Sequence, residues 1–356
     1  MTDISYDEYG LRLPKKEGRP ALRLLLATAL LVTAGALAGI VMLPAGGERE
    51  EATPRLRGVS LLSYPAQLAE QLSQPGNGQW VLPTSIALTP DGSTFVTDTE
   101  NDRILKLDPA GRVAATFDNT SDERLALRGP MAIASDGRSL FVANSLAAQV
   151  LVLDPSGHLL KTLPLKTLSD DARTPRPIGL AVTPEGNIVV ADADNHLVLF
   201  LDSDGNVLKT IGTGSRASGR DGFNVPGAVT LDGAGNIYVV DTLNGRVVEL
   251  SPNGEFVAQF GELGDTAGAL ARPKGVVVDS EGNVFVSDGL LAAVQVFSPE
   301  GEYLGVIGRK DPTDPASGSL FQAPAGLWLE GERLYVMDRL AGLITLDLIG
   351  LHALSE

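Results

Sequence analysis

Residues 226–260, PGAVTLDGAGNIYVVDTLNGRVVELSPNGEFVAQF, decide the fold. Four apolar segments of four to six residues stand in this stretch: residues 228–231, 237–240, 246–250 and 255–260. The turns between them are rich in Asp and Asn, which hydrogen-bond the backbone ahead, and in Gly, which accepts a positive φ. Short apolar runs separated by such turns predict four short antiparallel β-strands.

The same pattern recurs along the chain. The residue that closes the second strand returns every 46 to 50 residues, as Asp98, Asn144, Asp192, Asp241, Asp288 and Asp338. A proline opens the first strand with the same rhythm, as Pro83, Pro130, Pro177, Pro226, Pro273 and Pro324. Repeats of this length with four strands each form the blades of a β-propeller. The chain is therefore predicted to be all-β, a six-bladed β-propeller of four-stranded antiparallel blades.

The repeats resemble the NHL repeat, in which a proline precedes the inner strand and the motifs G-N-[hydrophobic]-[aromatic]-V-x-D and N-x-R-[hydrophobic] follow. The fourth copy matches at Asn236, Tyr238, Asp241, Asn244 and Arg246. The first copy keeps Asp98, Asn101 and Arg103, and the third keeps Asn187, Asp192 and Asn195. Copies two, five and six depart in the loop after the second strand. The resemblance covers residues 82–348 and implies a six-bladed NHL propeller of the membrane-anchored bacterial type.

The sixth copy offers only three strands, at residues 325–329, 334–338 and 343–349. Because a free sheet edge invites pairing with other chains, the ring is expected to close with a strand from elsewhere. Residues 57–64, RGVSLLSY, are predicted to supply it, and residues 65–74 to form a short helix or turn. The propeller domain is accordingly predicted over residues 55–356, with 55–64 as the closing strand.

Residues 24–43, LLLATALLVTAGALAGIVML, carry no charge. A helix of that length rises about 30 Å and would cross a bilayer. Five Lys and Arg residues precede it, so the positive-inside rule predicts a cytoplasmic tail at 1–23, a linker at 44–54 and a propeller outside the membrane, periplasmic or at the cell surface. Ala36-Leu37-Ala38 resembles a cleavage site, but the long stretch before the apolar segment favours a retained single-pass anchor.

Composition restricts the partners. The net charge is −16, and such a surface repels a phosphate backbone, so no nucleic-acid binding is expected. The chain has no Cys, which excludes disulfides, thiolate metal sites and cysteine nucleophiles.

No catalytic residue, metal or cofactor is predicted. Several propellers with similar repeats are enzymes, notably calcium lactonases and metal-dependent lyases, and the resemblance implies that a metal would sit in the central channel. Here the inner strands hold no His or carboxylate in their middle, and Asp232, Asp279 and Glu330 stand at strand ends, where they cap turns. The Asp202–Asn206 motif, although similar to a calcium loop, is interpreted as a hairpin turn. His158, His196 and His352 lie in different parts of the ring. A lactonase-like or lyase-like enzyme with a channel metal remains the alternative.

Two features break the sixfold symmetry and are the candidate sites. The loops after the second strand become apolar in three blades, and this predicts a partner surface: Leu146, Leu290, Leu291 and Leu340. Arginines stand just before three inner strands, at Arg128, Arg176 and Arg272, and are candidates for an anion pocket. The Asp repeated in every blade is interpreted as structural, orienting the loop that follows it. The sequence thus favours a membrane-tethered scaffold that binds a protein or peptide.

Overall fold

The computed structural model describes residues 66–72, 80–169, 171–309 and 318–348. Within these residues the chain forms β-strands and four short 3₁₀ turns, at Thr99–Asn101, Glu123–Leu125, Ser145–Ala147 and Thr242–Asn244. The strands make six four-stranded antiparallel sheets. The predicted six-bladed propeller is confirmed.

The strands of the six blades are as follows. Blade one contains β2 (Pro83–Leu88), β3 (Thr94–Asp98), β4 (Arg103–Leu107) and β5 (Val113–Asp118). Blade two contains β6 (Pro130–Ser135), β7 (Leu140–Asn144), β8 (Gln149–Leu153) and β9 (Leu159–Pro164). Blade three contains β10 (Pro177–Val182), β11 (Ile188–Asp192), β12 (Leu197–Leu201) and β13 (Val207–Ile211). Blade four contains β14 (Pro226–Leu231), β15 (Ile237–Asp241), β16 (Arg246–Leu250) and β17 (Phe256–Phe260). Blade five contains β18 (Pro273–Val278), β19 (Val284–Asp288), β20 (Ala293–Phe297) and β21 (Tyr303–Ile307). Blade six contains β22 (Pro324–Glu330), β23 (Arg333–Asp338), β24 (Gly342–Leu348) and β1 (Ala66–Leu72).

The first strand of each blade packs against the first strands of its two neighbours. These contacts run from β2 through β6, β10, β14 and β18 to β22, and β22 contacts β2 in turn. The ring of blades is therefore closed, and the six proline-initiated strands form its inner wall.

The closing strand comes from the segment before blade one, as expected, but from different residues. β1 pairs antiparallel with β24, from Ala66 opposite Leu348 to Leu72 opposite Leu343. The prediction of 55–64 as the closing strand is wrong, and so is the helix or turn at 65–74 where it covers β1. Residues 55–64 lie outside the described residues. The sequence AQLAEQL is rich in helix formers, but the unpaired edge of β24 offers backbone partners that override this propensity.

The core lies between adjacent blades. Every residue of the second strand is buried in blades one to five, because this strand is covered on both faces by neighbouring sheets. Phe95 and Phe117 of blade one, for example, share a cluster with Leu140 of blade two. Gly157 shows how tightly the blades approach. Its φ is +89°, and a Cβ there would lie 2.3 Å from the Phe117 ring, so this turn accepts only glycine.

No helix among the described residues is long and apolar enough to span a membrane. The segments predicted as tail, anchor and linker, residues 1–23, 24–43 and 44–54, lie outside the described residues.

Candidate functional site

One face of the ring carries both symmetry-breaking features. The first residue of each inner strand pairs with the last residue of the second strand, as Pro83 does with Asp98 and Pro273 with Asp288. The connections between blades and the loops after the second strands therefore meet at the same end of the strands. We call this end the connection face. Its loops are residues 99–102, 145–148, 193–196, 242–245, 289–292 and 339–341.

The repeated Asp or Asn of the second strand holds the connection that enters its own blade. In all six blades its side-chain oxygen accepts a backbone N–H from the residues before the inner strand. The pairs are Val81 to Asp98 (2.8 Å), Arg128 to Asn144 (2.6 Å), Arg176 to Asp192 (2.9 Å), Asn224 to Asp241 (2.7 Å), Arg272 to Asp288 (2.8 Å) and Gln322 to Asp338 (2.7 Å). Burial raises the pKa of Asp192 and of Asp241, although these hydrogen bonds oppose the rise. The structural interpretation of this position is thus supported by its geometry.

Blade four shows the fullest form of this arrangement. Asp241 Oδ2 accepts from Arg246 Nε at 2.8 Å and from Asn244 Nδ2 at 2.7 Å. The Arg246 side chain is only 5% exposed and Asp241 is fully buried. These are the residues of the Asn-x-Arg motif, and their side chains are engaged in hydrogen bonds within the blade.

The apolar loop residues are exposed on the connection face. Leu290 is 69% exposed, Leu340 is 61% exposed and Leu146 is 38% exposed. Leu291 is half-buried. Leu290 and Leu340 lie two residues after the closing Asp of adjacent blades, five and six. The structure therefore places these two predicted residues at equivalent positions, and it places Leu146 apart from them in blade two.

Sequence reasoning missed one member of this set. The position two residues after the closing Asp or Asn is occupied, from blade one to blade six, by Glu100, Leu146, Asp194, Leu243, Leu290 and Leu340. Leu243 of blade four is half-buried. Its loop keeps the family's Asn and Gly, which masked the substitution, whereas counting from Asp241 would have found it. Leu243, Leu290 and Leu340 occupy three consecutive blades, and we call them the apolar arc.

The three predicted arginines all reach the connection face, in different blades. Arg128 and Arg272 are exposed, and the Arg176 side chain is 11% exposed with Nη1 3.9 Å from Asp194 Oδ1. Their backbone N–H groups donate to the closing residues described above, which fixes their positions but does not bring the three side chains together.

Two further cations, which the sequence did not single out, lie near Arg272. Lys274 is the second residue of inner strand β18, and Arg339 follows the closing Asp338 of blade six. Burial, followed by the charges of Arg339 and Arg272, lowers the pKa of Lys274 to about 8, against the opposing effect of Asp288. Burial also lowers the pKa of Arg339, and the charge of Glu100 opposes it. The connection-face end of the inner wall, where blades five and six meet, therefore carries three neighbouring cations.

The remaining sequence candidates have local roles. His158 makes an exposed contact with Asp154 at 3.0 Å, His196 Nδ1 accepts from Val225 N at 3.1 Å, and His352 lies outside the described residues. Asp232, Asp279 and Asp202 each accept backbone N–H groups within their own hairpin turns, as predicted. Within the part of the chain that the structure describes, no three His, Asp or Glu side chains are grouped so as to hold a metal.

Comparison with known proteins agrees with this architecture. Residues 174–199 match the model of the NHL repeat. The chain contains an NHL repeat within a six-bladed β-propeller. A catalytically inactive virginiamycin B lyase from Staphylococcus aureus, with quinupristin, is similar over 80% of this chain and 100% of its own, at 14% identity and a TM-score of 0.58. A gluconolactonase from Xanthomonas campestris is similar over 80% of this chain and 95% of its own, at 18% identity and a TM-score of 0.57. A protein of unknown function from Bacteroides thetaiotaomicron is similar at 14% identity over 81% of this chain and 75% of its own, with a TM-score of 0.59. Likeness at this level of identity shows the fold that this NHL-repeat propeller shares with them.

Proposed function

We propose that this NHL-repeat propeller is a non-enzymatic binding module, tethered by residues 24–43 with the propeller outside the membrane, periplasmic or at the cell surface. Its connection face docks a protein or peptide partner against the apolar arc. The observation that carries the proposal is the exposure of Leu290 and Leu340, 69% and 61%, at the same loop position of adjacent blades.

The local chemistry of these loops supports a role beyond turning the chain. The loop of blade four ends in Gly245 with φ +62°, but in blade five the same position is Ala292 with φ +49°. A side chain in this left-handed region costs of order 1 kcal/mol relative to glycine. Blades one to three also carry a side chain at this position, with φ between +50° and +56° at Asp102, Ala148 and His196, so this strain is shared by several blades. Blade five differs from blade four in that its loop lacks the polar turn residues and presents an exposed leucine instead. Exposed apolar residues that lie close together are typical of binding surfaces.

The arc is large enough to matter energetically. Burying one leucine stabilises a complex by about 1.5–3 kcal/mol. Two leucines on adjacent blades would thus supply a substantial part of a micromolar affinity, which corresponds to about 8 kcal/mol. The equivalent positions on either side of the arc, in blades three and one, are Asp194 and Glu100. Their negative charges would restrict where a partner can bind along the ring.

The alternative is a propeller enzyme of the lyase or lactonase kind, and the shared fold of the solved lyase and lactonase supports it. The lyase in that structure is inactive with one histidine replaced by alanine. In this chain His158 and His196 make the local contacts described above. Among the described residues, neither belongs to a cluster of three His, Asp or Glu side chains that could hold a metal. Isothermal titration of the full-length protein with calcium and zinc separates the two functions, because stoichiometric binding of either metal would favour the enzyme.

The docking proposal is tested by L290S/L340S in the full-length chain. Leu291 is left unchanged because it is half-buried, and serine there would disturb packing. After cross-linking in intact cells, we expect partners recovered with the wild type to fall at least tenfold with the double variant, at an unchanged melting temperature. The matched control is L160S/L208S, which removes two equally exposed leucines from the outer strands β9 and β13.

Equal recovery with both double variants would refute the proposal. If L290S/L340S instead melts well below L160S/L208S, the two leucines belong to the core and the surface assignment is wrong.

A further inference from the structure

The inner strand of blade five carries a cation where no other blade has one. The second residue of the inner strands is, in order, Thr84, Met131, Ile178, Gly227, Lys274 and Ala325. In blade one the side chain at this position lies against the neighbouring blade, since Thr84 Oγ1 donates to the Met131 carbonyl at 2.7 Å. By this equivalence, Lys274 lies where blade five meets blade six, at the connection-face end of the inner wall.

A glycine makes room for the lysine. The residue after the closing Asp is Thr99 in blade one and Thr242 in blade four, but Gly289 in blade five. A Cβ on Gly289 would lie 3.6 Å from Lys274 Cγ and 3.5 Å from the Pro324 carbonyl. In blade four the pair is reversed, because a Cβ on Gly227 would lie 2.9 Å from Thr242 Oγ1. Each small residue therefore accommodates a larger side chain at the paired position, and blade five uses this room for a lysine.

Blade six adds a guanidinium at the next equivalent position. Arg339 occupies the place of Thr99 and Thr242. Its Nε is buried and has no hydrogen-bond partner among the described residues. Neither does the Lys274 ammonium form a hydrogen bond or ion pair with any residue that the structure describes. Lys274 is half-buried, whereas Arg339 Nε is a fully buried donor without a partner. Such a donor is costly, and in proteins it usually meets a ligand or ordered water.

The nearby carboxylate does not neutralise this group. Asp288 accepts three backbone N–H groups, from Arg272 through Oδ2 and from Leu290 and Leu291 through Oδ1, at 2.8 to 2.9 Å. The charge of Asp288 favours the protonated form of Lys274, but both Asp288 oxygens already accept hydrogen bonds from the backbone. Glu100 lies near enough to influence Arg339 from blade one. Three cations, Lys274, Arg339 and Arg272, therefore lie near one another in a protein whose net charge is −16. The two carboxylates beside them are Asp288, whose oxygens accept backbone hydrogen bonds, and Glu100 of blade one.

We propose that Lys274 and Arg339, with Arg272 at the rim, form a binding site for a small oxyanion, a carboxylate or phosphate group, at the connection-face end of the inner wall, where blades five and six meet. An ammonium and a guanidinium are the donors that bind such groups most strongly, through charge-assisted hydrogen bonds. The site lies beside Leu290 and Leu340 but does not depend on their role in docking.

The test follows the ionisation of Lys274 in the full-length protein, after its lysines have been labelled by reductive ¹³C-methylation. The resonance that titrates near pH 8 and is absent from K274M reports the site. Inorganic phosphate and acetate are added separately at constant ionic strength. Because an anion stabilises the protonated ammonium, each bound anion should raise the titration midpoint of Lys274 while leaving that of Lys209, on outer strand β13, unchanged. The larger of the two shifts identifies the preferred oxyanion.

Variants make the result specific. R339Q should weaken the binding of the preferred anion at least tenfold, which is the effect of losing one charge-assisted hydrogen bond. K209M removes a cation from the outer strand and should leave the binding unchanged. The proposal is overturned if neither anion moves the Lys274 midpoint, if Lys209 moves equally, or if R339Q and K209M behave alike.

Discussion

Replacing Arg246 with methionine should destabilise the propeller more than any substitution of an exposed charge. The guanidinium donates to the Asp241 carboxylate and also holds the connection from blade three to blade four. Its other acceptors are the carbonyls of Ser218 (2.9 Å), Gly219 (3.0 Å) and Gly222 (2.8 Å) and the side chain of Gln259. Methionine keeps much of the apolar stem but removes every donor.

The magnitude follows from burial. Removing one partner of a buried, hydrogen-bonded ion pair typically costs 3–5 kcal/mol, because the other charge stays buried without compensation; we therefore expect a loss of about 4 kcal/mol for R246M. For a large domain this lowers the melting temperature by roughly 10 °C. The matched control is R112M, whose side chain is 80% exposed in its pair with Asp108, and which should melt with the wild type.

The pH dependence provides a second check. Burial already raises the pKa of Asp241 in the folded state, and removal of Arg246 takes away an interaction that lowers it. A carboxyl whose folded pKa lies above its unfolded value stabilises the fold at low pH, and this contribution is lost as pH rises through the folded pKa. R246M should therefore be less impaired at pH 5 than at pH 8.

Thermal unfolding of the full-length protein, followed by circular dichroism at both pH values, measures these effects. D241N/R246M should recover part of the loss at pH 8, since it removes the uncompensated charge. A melting temperature for R246M within error of R112M would refute the reasoning, and so would a double variant less stable than R246M at pH 8.

Three further predictions concern other parts of the chain. Deleting residues 66–72 should lower the melting temperature, or cause aggregation in light scattering, far more than deleting residues 55–64, because it exposes the edge of β24; equal effects would contradict the assignment of the closing strand. K274M should raise the free energy of unfolding at pH 7 by roughly 1–3 kcal/mol, because the lowered pKa of Lys274 means that the unfolded chain holds that proton more tightly. In urea titrations the variant should also lose the increase in stability that the wild type shows between about pH 8 and pH 10. An unchanged pH profile would show that Lys274 is not desolvated. If residues 24–43 are a retained anchor, the protein should remain with membranes after a carbonate wash, and a mature N-terminus at Gly39 would exclude this.

Much of the fold was predictable because its determinants are local. The turn of residues 232–236 and the apolar runs around it specify strands through contacts a few residues apart. Repetition of Asp241 and its equivalents then identified six blades, and the structure shows each of them fastening its own inner connection. Exposure of Leu290 and Leu340 was likewise predictable, since each replaces a residue type that the turn would favour.

The closing strand and the group of three cations were decided only by tertiary structure. Residues 66–72 favour helix by propensity, and they form a strand because ring closure leaves the edge of β24 without a partner. Lys274 looks like an ordinary residue in PKGVVV. Its lowered pKa depends on its burial in the folded ring and on the charge of Arg339, which is distant in the sequence. The sequence by itself determined the strands and turns, whose energies depend on near neighbours. The ring determined which side chains meet at its connection face, because residues from different blades are brought together only when six sheets pack around one axis.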